Sequence, residues 1–472
     1  MSMVSACALT ASRRSHALSS LGVAVIVIVG VDPAAATSLS FALSVLATLG
    51  IVLFVPLFAS WVPVTSRRVR SWIVDPLAMT AAATLMTFPL SVAQFAQFPI
   101  VAPISNVLAA PIVSLICGLG VAAFVTLPIP LLSAALLHVV CGVAGIFVHA
   151  VDLLAHLPFA SIPVDASLSV MAAISAGAVA ALWLLWPLRG DSRALGVGIT
   201  VAALCLAAVF FPRMGSELIM LDVGQGDAFV VRSRGACVLV DTGNVAQALY
   251  EGLARHGVRR LDGVVVSHAD DDHCACLADL VGVVPCEAVY LAQGMSDADS
   301  DKARELVANA QRLVGSEGVC ELTVGDALTI GSFRAEVLSP DGLIDDGGNA
   351  DSLCLLLEYP KGEGDNTWTA LLCGDAEAEV LNPLVREGAL GAIDVYKVGH
   401  HGSRAALDSE LAHALSPRIA LVSVGARNTY GHPNEDVLAL LANEGAEALC
   451  SDEVGDVVCE FSPERIEVST MR

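Results

Sequence analysis

The hydrophobic pattern divides the chain into two parts. Up to residue 214, long apolar stretches follow one another with few charges between them, and most reach the ~20 residues that a helix needs to cross a bilayer. After Ser216, short apolar runs alternate with glycine-rich turns. We therefore predict a multi-helix transmembrane domain at 1–214 and a second, water-soluble domain at 215–472. The predicted membrane segments are 18–31, 39–61, 77–93, 101–127, 131–157, 168–187 and 195–211.

One apolar stretch contains helix-breaking residues around a polar one. Pro103 and Pro111 flank Asn106 in the 101–127 stretch. Proline inside a helix removes a hydrogen bond and kinks the backbone. We therefore expect a broken or re-entrant segment here. Two roles stay open for Asn106: it lines a pore or cavity, or it hydrogen-bonds to a neighbouring helix.

Arginine clusters predict the orientation in the membrane. They lie at Arg13 and Arg14, at 67–70, and at Arg189 and Arg193, and such clusters mark cytoplasmic loops. Two predicted crossings separate the first pair of clusters and four separate the second pair, so all three lie on one side. The last crossing, 195–211, then places the soluble domain outside the cytoplasm. We expect a multi-pass protein of the cell (inner) membrane with an extracytoplasmic C-terminal domain.

The second part of the chain predicts a layered fold. Alternating apolar runs predict strands, and amphipathic runs between them predict helices. Strands followed by interleaved helices, and then the same pattern again, favour an αββα arrangement. The strands are expected at 217–223, 228–232, 237–240, 263–267, 335–338, 352–359, 368–373, 395–398 and 419–424, and the helices at 245–256, 300–313 and 435–443.

Composition and charge agree with this division. The chain is 55% hydrophobic and only 15% charged, which is unlike a soluble protein. The first 214 residues hold eight arginines and five aspartates, which gives a net charge of +3. Since the whole chain has a net charge of −23, residues 215–472 carry −26. The acidic balance of the soluble domain therefore argues against a broad basic surface for nucleic acid, and any DNA contact there would have to be local or made through a metal. The cysteines form no CxxC pair, so a structural zinc finger is not expected.

Candidate metal ligands cluster directly after an apolar run. His268, Asp270, Asp272 and His273 follow the run 264–266, and a strand that ends in such a cluster delivers imidazoles and carboxylates to one point. Further ligand types follow other predicted strands. We predict a metal site built from His268, Asp270, Asp272, His273, Asp375 and His400.

These ligand types suit one or two divalent ions. Imidazole and carboxylate bind Zn²⁺ and Mn²⁺, and the high share of carboxylates favours Mn²⁺ or Mg²⁺ over Zn²⁺. Asp375 could bridge two ions, and a pair of ions can hold both the attacking and the leaving oxygen of a phosphodiester. The residues predicted to take part in such catalysis are Asp272, Lys397, His401, Ser403 and His432.

Each of these residues also has a plainer interpretation. Lys397 either holds phosphate or lies in solvent, and His401 and Ser403 either contact the scissile phosphate or cap a loop. Asp227 is a turn residue or part of the site. Asp241 could position a metal ligand. His256 and His413 are expected to be surface helix residues.

Several motifs together resemble a known family. The chain is similar to the ComEC family of competence DNA-uptake channels, whose members carry a metallo-β-lactamase-type domain. In the membrane part, 39–49 and 98–111 resemble the family's competence segment. The motifs in the soluble part are LDVGQGDA at 221–228, VDTG at 240–243, SHADDDH at 267–273, NADSL at 349–353, LCGD at 372–375, KVGHHGS at 397–403 and NTYGHP at 428–433.

The resemblance implies a function in DNA uptake. It suggests a channel protein that passes single-stranded DNA inwards, while its metal-dependent domain hydrolyses phosphodiesters of the strand left behind. The expected partners are single-stranded DNA, the lipid bilayer, other competence proteins and a separate N-terminal channel module, because the chain begins within the competence segment. Ala275 and Cys276 also replace the glycines usual after the metal motif. Two alternatives remain: a membrane-anchored hydrolase of a small phosphodiester or ester, and a non-catalytic remnant of the channel.

Overall fold

The computed structural model describes residues 16–165, 215–362 and 366–471, with single positions between 166 and 214. They belong to two units, within Met1–Val209 and Phe210–Arg472. The predicted membrane segments 168–187 and 195–211 lie outside the described residues.

The first unit is built of apolar helices. Four of those described are long and apolar enough to cross a membrane, and one shorter apolar helix precedes them. Because most of their apolar side chains are not buried within the unit, these helices are suited to contact with lipid. The helices are α1 Ala17–Val31, α2 Leu39–Ser60, α3 Arg67–Phe95, α4 Ala102–Val125 and α5 Pro130–Ala155.

Two helices differ from the sequence prediction. Helix α3 begins ten residues before the predicted segment and contains one π-helical turn, Arg70–Val74, so Arg67 and its neighbours lie in its first turns instead of in a loop. Helix α4 is continuous, and the expectation of a broken or re-entrant segment was wrong. Its first residues include Pro103, where proline costs no hydrogen bond, and Pro111 is accommodated within the helix.

A short strand pair in the first unit escaped prediction. Strand β1, Gln97–Pro99, pairs antiparallel with β2, Ser161–Pro163. Ala96, at the end of α3, has a left-handed backbone with φ of 50°, which turns the chain into β1. The pair therefore ties the segment after α5 back to the end of α3. Three-residue strands are too short for an alternating pattern to reveal them.

The second unit begins with an eight-stranded sheet. Its central strands run through the apolar positions that predicted them, and the sequence missed the strands towards one edge, β7 and β8, and the C-terminal pair. In spatial order the strands are β17 (Ile466–Met471), β16 (Asp456–Phe461), β3 (Glu217–Met220), β4 (Phe229–Ser233), β5 (Ala236–Val240), β6 (Gly263–Val265), β7 (Val289–Ala292) and β8 (Val319–Leu322).

A seven-stranded sheet forms the other half. It contacts the first sheet through the rings of Phe333, Tyr359 and Phe461, whose centroids lie 5.1–5.8 Å apart. In spatial order its strands are β15 (Glu447–Cys450), β14 (Ile419–Val422), β13 (Val395–Lys397), β12 (Thr367–Leu372), β11 (Cys354–Pro360), β10 (Phe333–Ser339) and β9 (Ala327–Ile330).

Amphipathic helices cover the sheets and complete the expected αββα arrangement. The predicted helix at 435–443 begins and ends as expected, and it buries Val437 and Leu441, four residues apart. Helices at 378–386 and 409–415 were missed. The helices of this unit are α6 Ala246–Arg255, α7 Asp271–Cys274, α8 Asp301–Val314, α9 Ala378–Arg386, α10 Ser409–Leu415, α11 Glu435–Asn443 and α12 Ser451–Val454.

Candidate metal centre

The carboxyl ends of parallel strands gather the candidate ligands. Strands β5, β6 and β7 are parallel in one sheet, and β12, β13 and β14 are parallel in the other. Loops at the carboxyl ends of parallel strands meet along one edge, where ligands bind in open α/β sheets. The segment 267–273 follows β6, Asp375 follows β12, and 399–403 follows β13.

Four side chains form the tightest cluster. Asp272, His273, Asp375 and His401 each offer one ligand atom, and these atoms lie within 4.8 Å of one another. Asp375 Oδ1 lies 3.1 Å from His273 Nε2, and Asp375 Oδ2 lies 3.5 Å from His401 Nε2. Asp272 Oδ2 lies 3.2 Å from His401 Nε2. Two carboxylates and two imidazoles thus converge, in a buried setting, on a space that a cation could occupy.

His273 is held so that one ring nitrogen faces this space. Its Nδ1 donates to Asp241 Oδ2 at 2.9 Å. Asp241 in turn accepts the Ser267 backbone N–H at 2.7 Å and the Ser267 hydroxyl at 2.8 Å. Since Nδ1 is used by Asp241, Nε2 is the ring nitrogen left to bind a cation, and this buried atom has no hydrogen-bond partner. The orientation is that of a metal-binding histidine fixed by a carboxylate.

Asp241 and His273 also lie near Asp227, which makes a second possible ligand group. The hydrogen bonds argue against an ion in that position. Both oxygens of Asp241 are used by Ser267 and His273, and the Nδ1 of His273 is occupied by the same carboxylate. The cluster that contains Asp375 has free ligand atoms, so it is the better candidate.

His401 is oriented by the backbone. Its Nδ1 donates to the Ser423 carbonyl at 2.9 Å, which leaves Nε2 for the cluster. His400 and His401 both have left-handed backbones, with φ of 42° and 52°. Such a conformation costs about 1–3 kcal/mol at a non-glycine residue and persists where the surroundings enforce it. A Cβ at Gly399 would lie 2.1 Å from the Ala376 carbonyl, so the loop depends on glycine there.

Lys397 lies behind the cluster and not in solvent. The side chain is 1% exposed, and its ammonium contacts Asp227 at 2.5 Å and Asp375 at 3.4 Å and donates to the Gly374 carbonyl. The interpretation of Lys397 as a solvated surface residue was therefore wrong. With every proton of the ammonium directed inward, this lysine positions two carboxylates and is not directed towards a phosphate in the open cavity.

Asp227 belongs to the site and is more than a turn residue. The Asp227 carboxylate is buried between Lys397 and His401, and its Oδ1 lies 3.4 Å from the Nδ1 of His401. Asp227 Oδ1 has no hydrogen-bond partner. A Cβ at Gly226 would lie 2.2 Å from the Asp272 carbonyl, and the Asp227 N–H donates to that carbonyl at 3.0 Å. The glycine before Asp227 is therefore what lets this turn pack directly on the metal motif.

The ionisation of the cluster reflects its surplus of acid. Burial by itself would raise the pKa of Asp227, but Lys397, then His401 and His273, outweigh it and lower the pKa to about 2. Burial opposes protonation of His401, yet Asp375 and Asp227 raise its pKa to about 9. Burial likewise opposes protonation of His273, but the negative charge of Asp375 and of the neighbouring aspartates raises its pKa well above the ordinary value. Without an ion, both imidazoles therefore hold protons that counter the carboxylates.

His268 and Asp270 form the outer part of the predicted ligand set. The Ser267 hydroxyl donates to Asp241, so it accepts from His268 Nδ1 at 3.0 Å, and His268 Nε2 is left buried and unpartnered. Asp270 Oδ2 lies 3.6 Å from that nitrogen. Its other oxygen accepts from Lys302 at 2.6 Å. The nearby imidazole of His268, acting against burial, and then the ammonium of Lys302 lower the pKa of Asp270.

His400 lies at the margin of the cluster. Its Nε2 is 4.0 Å from Asp375 Oδ2, and its Nδ1 donates to Glu377 at 2.7 Å. The Ser403 hydroxyl donates to the same Glu377 oxygen at 3.0 Å. His432 lies beside His400 with ring centroids 5.8 Å apart. Burial, and then the nearby imidazoles of His400 and His401, lower the pKa of His432.

The donor set fits a divalent cation. Buried imidazole nitrogens without partners, at His268 and His273, are costly unless something binds them. The surrounding carboxylates exceed the single buried lysine, so a cation is the group that would satisfy both the orphaned nitrogens and the charge. Asp272, His273, Asp375 and His401 would hold one ion, and His268, Asp270 and His400 lie at the distances of outer or second-ion ligands.

The structure thus brings all the predicted site residues to one edge but distributes them differently. Of the adjacent histidines, His401 joins the tightest cluster, whereas His400 was the one expected there. Sequence reasoning missed Glu377 and Lys302. For Glu377 a signal existed, because it lies two residues after Asp375 at the same strand end. For Lys302 none did, because it comes from a helix far along the chain.

Fold and site together define a metallo-β-lactamase-type domain joined to a membrane unit of apolar helices. A family model for the Competence protein matches residues 1–190, and a model for the metallo-β-lactamase superfamily matches residues 221–294. This order and this pair of domains confirm the resemblance found in the sequence. The chain therefore carries a Competence domain followed by a metallo-β-lactamase domain, an arrangement consistent with the ComEC family of competence proteins.

Relatives agree with this assignment. ComE operon protein 3 of Bacillus subtilis is 30% identical over 57% of this chain and 36% of its own length. Competence protein ComA of Neisseria gonorrhoeae is 28% identical over 79% of this chain and 49% of its own. Recombination protein 2 of Haemophilus influenzae is 26% identical over 58% and 32%. The chain spans at most about half the length of these relatives.

Solved structures show weaker likenesses. The metallo-β-lactamase fold protein YhfI of Bacillus subtilis is 15% identical, with a TM-score of 0.34, over 52% of this chain and 100% of its own. CmlA, a diiron β-hydroxylase from Streptomyces venezuelae, is 17% identical, with a TM-score of 0.36, over 53% and 55%. The fold assignment rests on the family model and the two-sheet topology. The metallo-β-lactamase fold implies that a divalent metal is bound.

Proposed function

We propose that this protein takes part in natural transformation and that its metal-dependent domain hydrolyses phosphodiesters of the DNA strand that is not transported. The observation that carries the proposal is the cluster of Asp272, His273, Asp375 and His401, with unpartnered imidazole nitrogens, in a chain of the competence family. A divalent ion at this cluster would supply Lewis acidity towards a phosphate oxygen and an acidified water.

The chain's own residues have distinct parts in this proposal. Asp241 and the Ser423 carbonyl hold His273 and His401 in the tautomers that expose Nε2. Lys397 keeps Asp227 and Asp375 ionised and in place. His432, half-buried beside His400 and with a lowered pKa, is neutral at pH 7 and can take or give a proton on the open side of the cavity.

Mn²⁺, Mg²⁺ and Zn²⁺ are the candidate ions, one or two per molecule. Carboxylates are as numerous as imidazoles in the cluster, which favours Mn²⁺ or Mg²⁺. Elemental analysis of the full chain in detergent after exposure to each ion measures the occupancy. We expect bound metal in the wild type and its loss in an Asp272→Ala/His273→Ala double variant. Equal metal in both would contradict the assignment of the site.

The proposed substrate is tested by hydrolysis. Purified full-length protein should cleave single-stranded DNA with a divalent ion and lose that activity with a chelator. A second candidate function, hydrolysis of a small phosphodiester, is favoured by the charge of −26 on residues 215–472, which repels a polyanion. Faster cleavage of a dinucleotide than of a longer strand would support the second candidate. Intact metal binding with no hydrolysis would indicate a non-catalytic remnant.

We propose further that the protein is a multi-pass protein of the inner membrane with its metal domain outside the cytoplasm. Arginine clusters before α1, at the start of α3 and at 189–193 support this orientation. Single-stranded DNA, the bilayer and other competence proteins would be its partners. Reporter fusions at Arg472 test the orientation, and a reporter active in the cytoplasm would reverse it.

A further inference from the structure

An aromatic side chain stands exposed at the rim of the metal cavity. The cavity has a volume of about 390 Å³ and is bordered by Asp375 and His401 of the metal cluster and by Tyr430. The Tyr430 side chain is 72% exposed. Its hydroxyl has no hydrogen-bond partner within the described part of the chain. An exposed ring on a polar, acidic cavity contributes little to folding, because it removes little apolar surface from water.

The loop that carries Tyr430 is held firmly. Asn428 makes four hydrogen bonds across it: its side-chain N–H groups donate to the carbonyls of Gly425 and His432, each at 2.9 Å, and its oxygen accepts the backbone N–H of Gly431 at 3.1 Å and of His432 at 3.2 Å. The exposure of the ring is therefore built into the loop and is not the result of a loose segment.

The ring also continues a row of rings that leads to the metal cluster. Tyr430 stacks on His432 with a centroid distance of 5.9 Å and an interplanar angle of 12°. His432 lies edge-on to His400, and His400 lies 4.0 Å from Asp375. A flat group placed on the outer face of Tyr430 would thus lie next to the metal cavity. Any of the four bases could stack on this single ring, because each base offers a flat π-face.

Charge explains why such a contact matters in this protein. Residues 215–472 carry −26, so attraction between a basic surface and phosphates cannot hold a DNA strand here. Of the described residues that border the cavity, Lys302 is the one lysine or arginine, and its ammonium already pairs with Asp270. Stacking does not depend on net charge, so it gives the domain a way to hold a polynucleotide in addition to the metal itself.

We propose that Tyr430, supported by His432, is a stacking platform for a base of single-stranded DNA beside the scissile phosphate. This inference rests on the proposed nuclease function and adds to it a specificity: the substrate is recognised by its bases, without preference for their identity, as well as by its phosphates.

The test compares two strands with the same number of phosphates. The full chain in detergent, with Mg²⁺, is titrated with labelled oligothymidylate and with an abasic oligomer of the same length, and binding is followed by fluorescence anisotropy. We expect oligothymidylate to bind about 5- to 140-fold more tightly, since stacking contributes roughly 1–3 kcal/mol per base and 1.4 kcal/mol is tenfold. The ratio should persist as salt is raised, because both strands release the same counterions.

Matched variants assign the difference to the ring. Tyr430→Ala should remove the preference for oligothymidylate and leave binding of the abasic strand unchanged, whereas Tyr430→Phe should keep the preference because the ring remains. Ile344→Ala is the control: this side chain is 80% exposed and does not border the cavity, so both affinities should stay as in the wild type. Metal content should be the same in all four proteins.

The outcomes separate this inference from the proposed function. Equal affinity of the wild type for the two strands, no measurable binding of either strand, or the same loss for both strands in Tyr430→Ala, would overturn the stacking platform. Cleavage of both strands at equal kcat/KM would do so too while leaving the nuclease function in place. Base-dependent binding without any cleavage would retain the platform and overturn the nuclease.

Discussion

Two buried groups of aspartate and histidine in the soluble unit differ in how their polar atoms are used. In one, the Asp456 carboxylate accepts the Asp222 N–H at 2.8 Å, His256 Nε2 at 2.8 Å and Arg255 at 2.6 Å. In the metal cluster, by contrast, the Nε2 atom of His273 remains buried and unpartnered. Residue type and burial are the same in both groups, so neither of them separates a structural group from a site.

Charge separates the two groups as clearly as hydrogen bonding does. Asp456 is balanced by an arginine and a histidine, and the group is complete without a ligand. In the metal cluster Lys397 is the one lysine or arginine among several described carboxylates. A surplus of acid together with imidazole nitrogens that have no hydrogen-bond partner is what indicates a cation-binding site. The expectation that His256 lies on the surface was wrong, because its helix turns it inward onto Asp456, whereas His413 is exposed as expected.

The largest expected effect separates the two groups by activity. Asp375→Ala should lower metal-dependent hydrolysis of single-stranded DNA by more than about 100-fold, since even a residue that only orients a metal ligand contributes 10- to 100-fold. Asp456→Ala should leave the rate per folded molecule unchanged. Rates are measured at matched folded protein. Retained hydrolysis in Asp375→Ala would mean that the reaction does not use this cluster.

Stability should respond in the opposite way. Asp456→Ala leaves His256 and Arg255 without their carboxylate, and removing one partner of a buried ion pair costs about 3–5 kcal/mol. Thermal unfolding of the full chain in detergent measures this. Asp375→Ala should be less destabilising in metal-free protein, because it also removes acid from a surplus. A larger loss in Asp375→Ala than in Asp456→Ala would show that the metal cluster is itself a structural ion pair.

Acid should weaken the Asp456 group in a defined range. Burial would raise the pKa of Asp456, but hydrogen bonds from His256 and Asp222 and the charge of Arg255 lower it. A lowered pKa adds stability above the ordinary carboxyl pKa, near 4, and this stability is lost as the pH falls through the folded-state value. The difference in stability between wild type and Asp456→Ala should therefore be constant above about pH 5 and shrink below pH 4.

The metal cluster should show the reverse dependence on pH. His401 has a raised pKa of about 9 in the metal-free protein, so its proton stabilises the fold below about pH 6.5 and this contribution is lost as the pH rises through 9. A divalent ion must displace that proton, so metal binding strengthens over the same range. At a hundredfold excess over Kd an ion adds about 2.7 kcal/mol.

We therefore expect the rise in Tm on adding Mn²⁺ or Zn²⁺ to grow between pH 6.5 and 9. The Asp272→Ala/His273→Ala variant should show no rise at any pH. The measurement is differential scanning fluorimetry of both proteins with and without metal. A shift that is independent of pH would mean that His401 releases no proton and is not a ligand.

Much of the fold followed from local sequence signals. The helix at 435–443 was predicted to the residue because Asn434 caps it, accepting the Asp436 N–H, and its apolar residues recur every four positions. Strands β7 and β16 were missed although they are largely buried, but other missed strands lie where such signals are weak. Strands β8 and β9 each bury little more than one side chain, and β17 is largely exposed, so polar residues obscure the alternation.

The site shows a different limit. Ligand types at strand ends were visible in the sequence, and all of them meet at one edge. Which of two adjacent histidines enters the cluster was not visible, because it depends on left-handed backbones at His400 and His401. The part played by Asp227 was equally hidden, since it depends on the close contact between Gly226 and Asp272 across more than forty residues. The position of His401 and the role of Asp227 were both decided by the folded backbone and its contacts, and not by residue type.

The smallest expected effect extends the comparison to the membrane unit. Asn106 donates to Thr80 Oγ1 at 3.2 Å, and Thr80 donates to the Pro76 carbonyl at 3.0 Å, so the Thr80 hydroxyl both accepts and donates a hydrogen bond. A hydrogen bond between membrane helices contributes about 0.6 kcal/mol. A double-mutant cycle of Asn106→Ala and Thr80→Ala, measured by unfolding in mixed micelles, should give a coupling of this size with transformation retained. Lost transformation without a change in stability would instead make Asn106 part of the path for DNA.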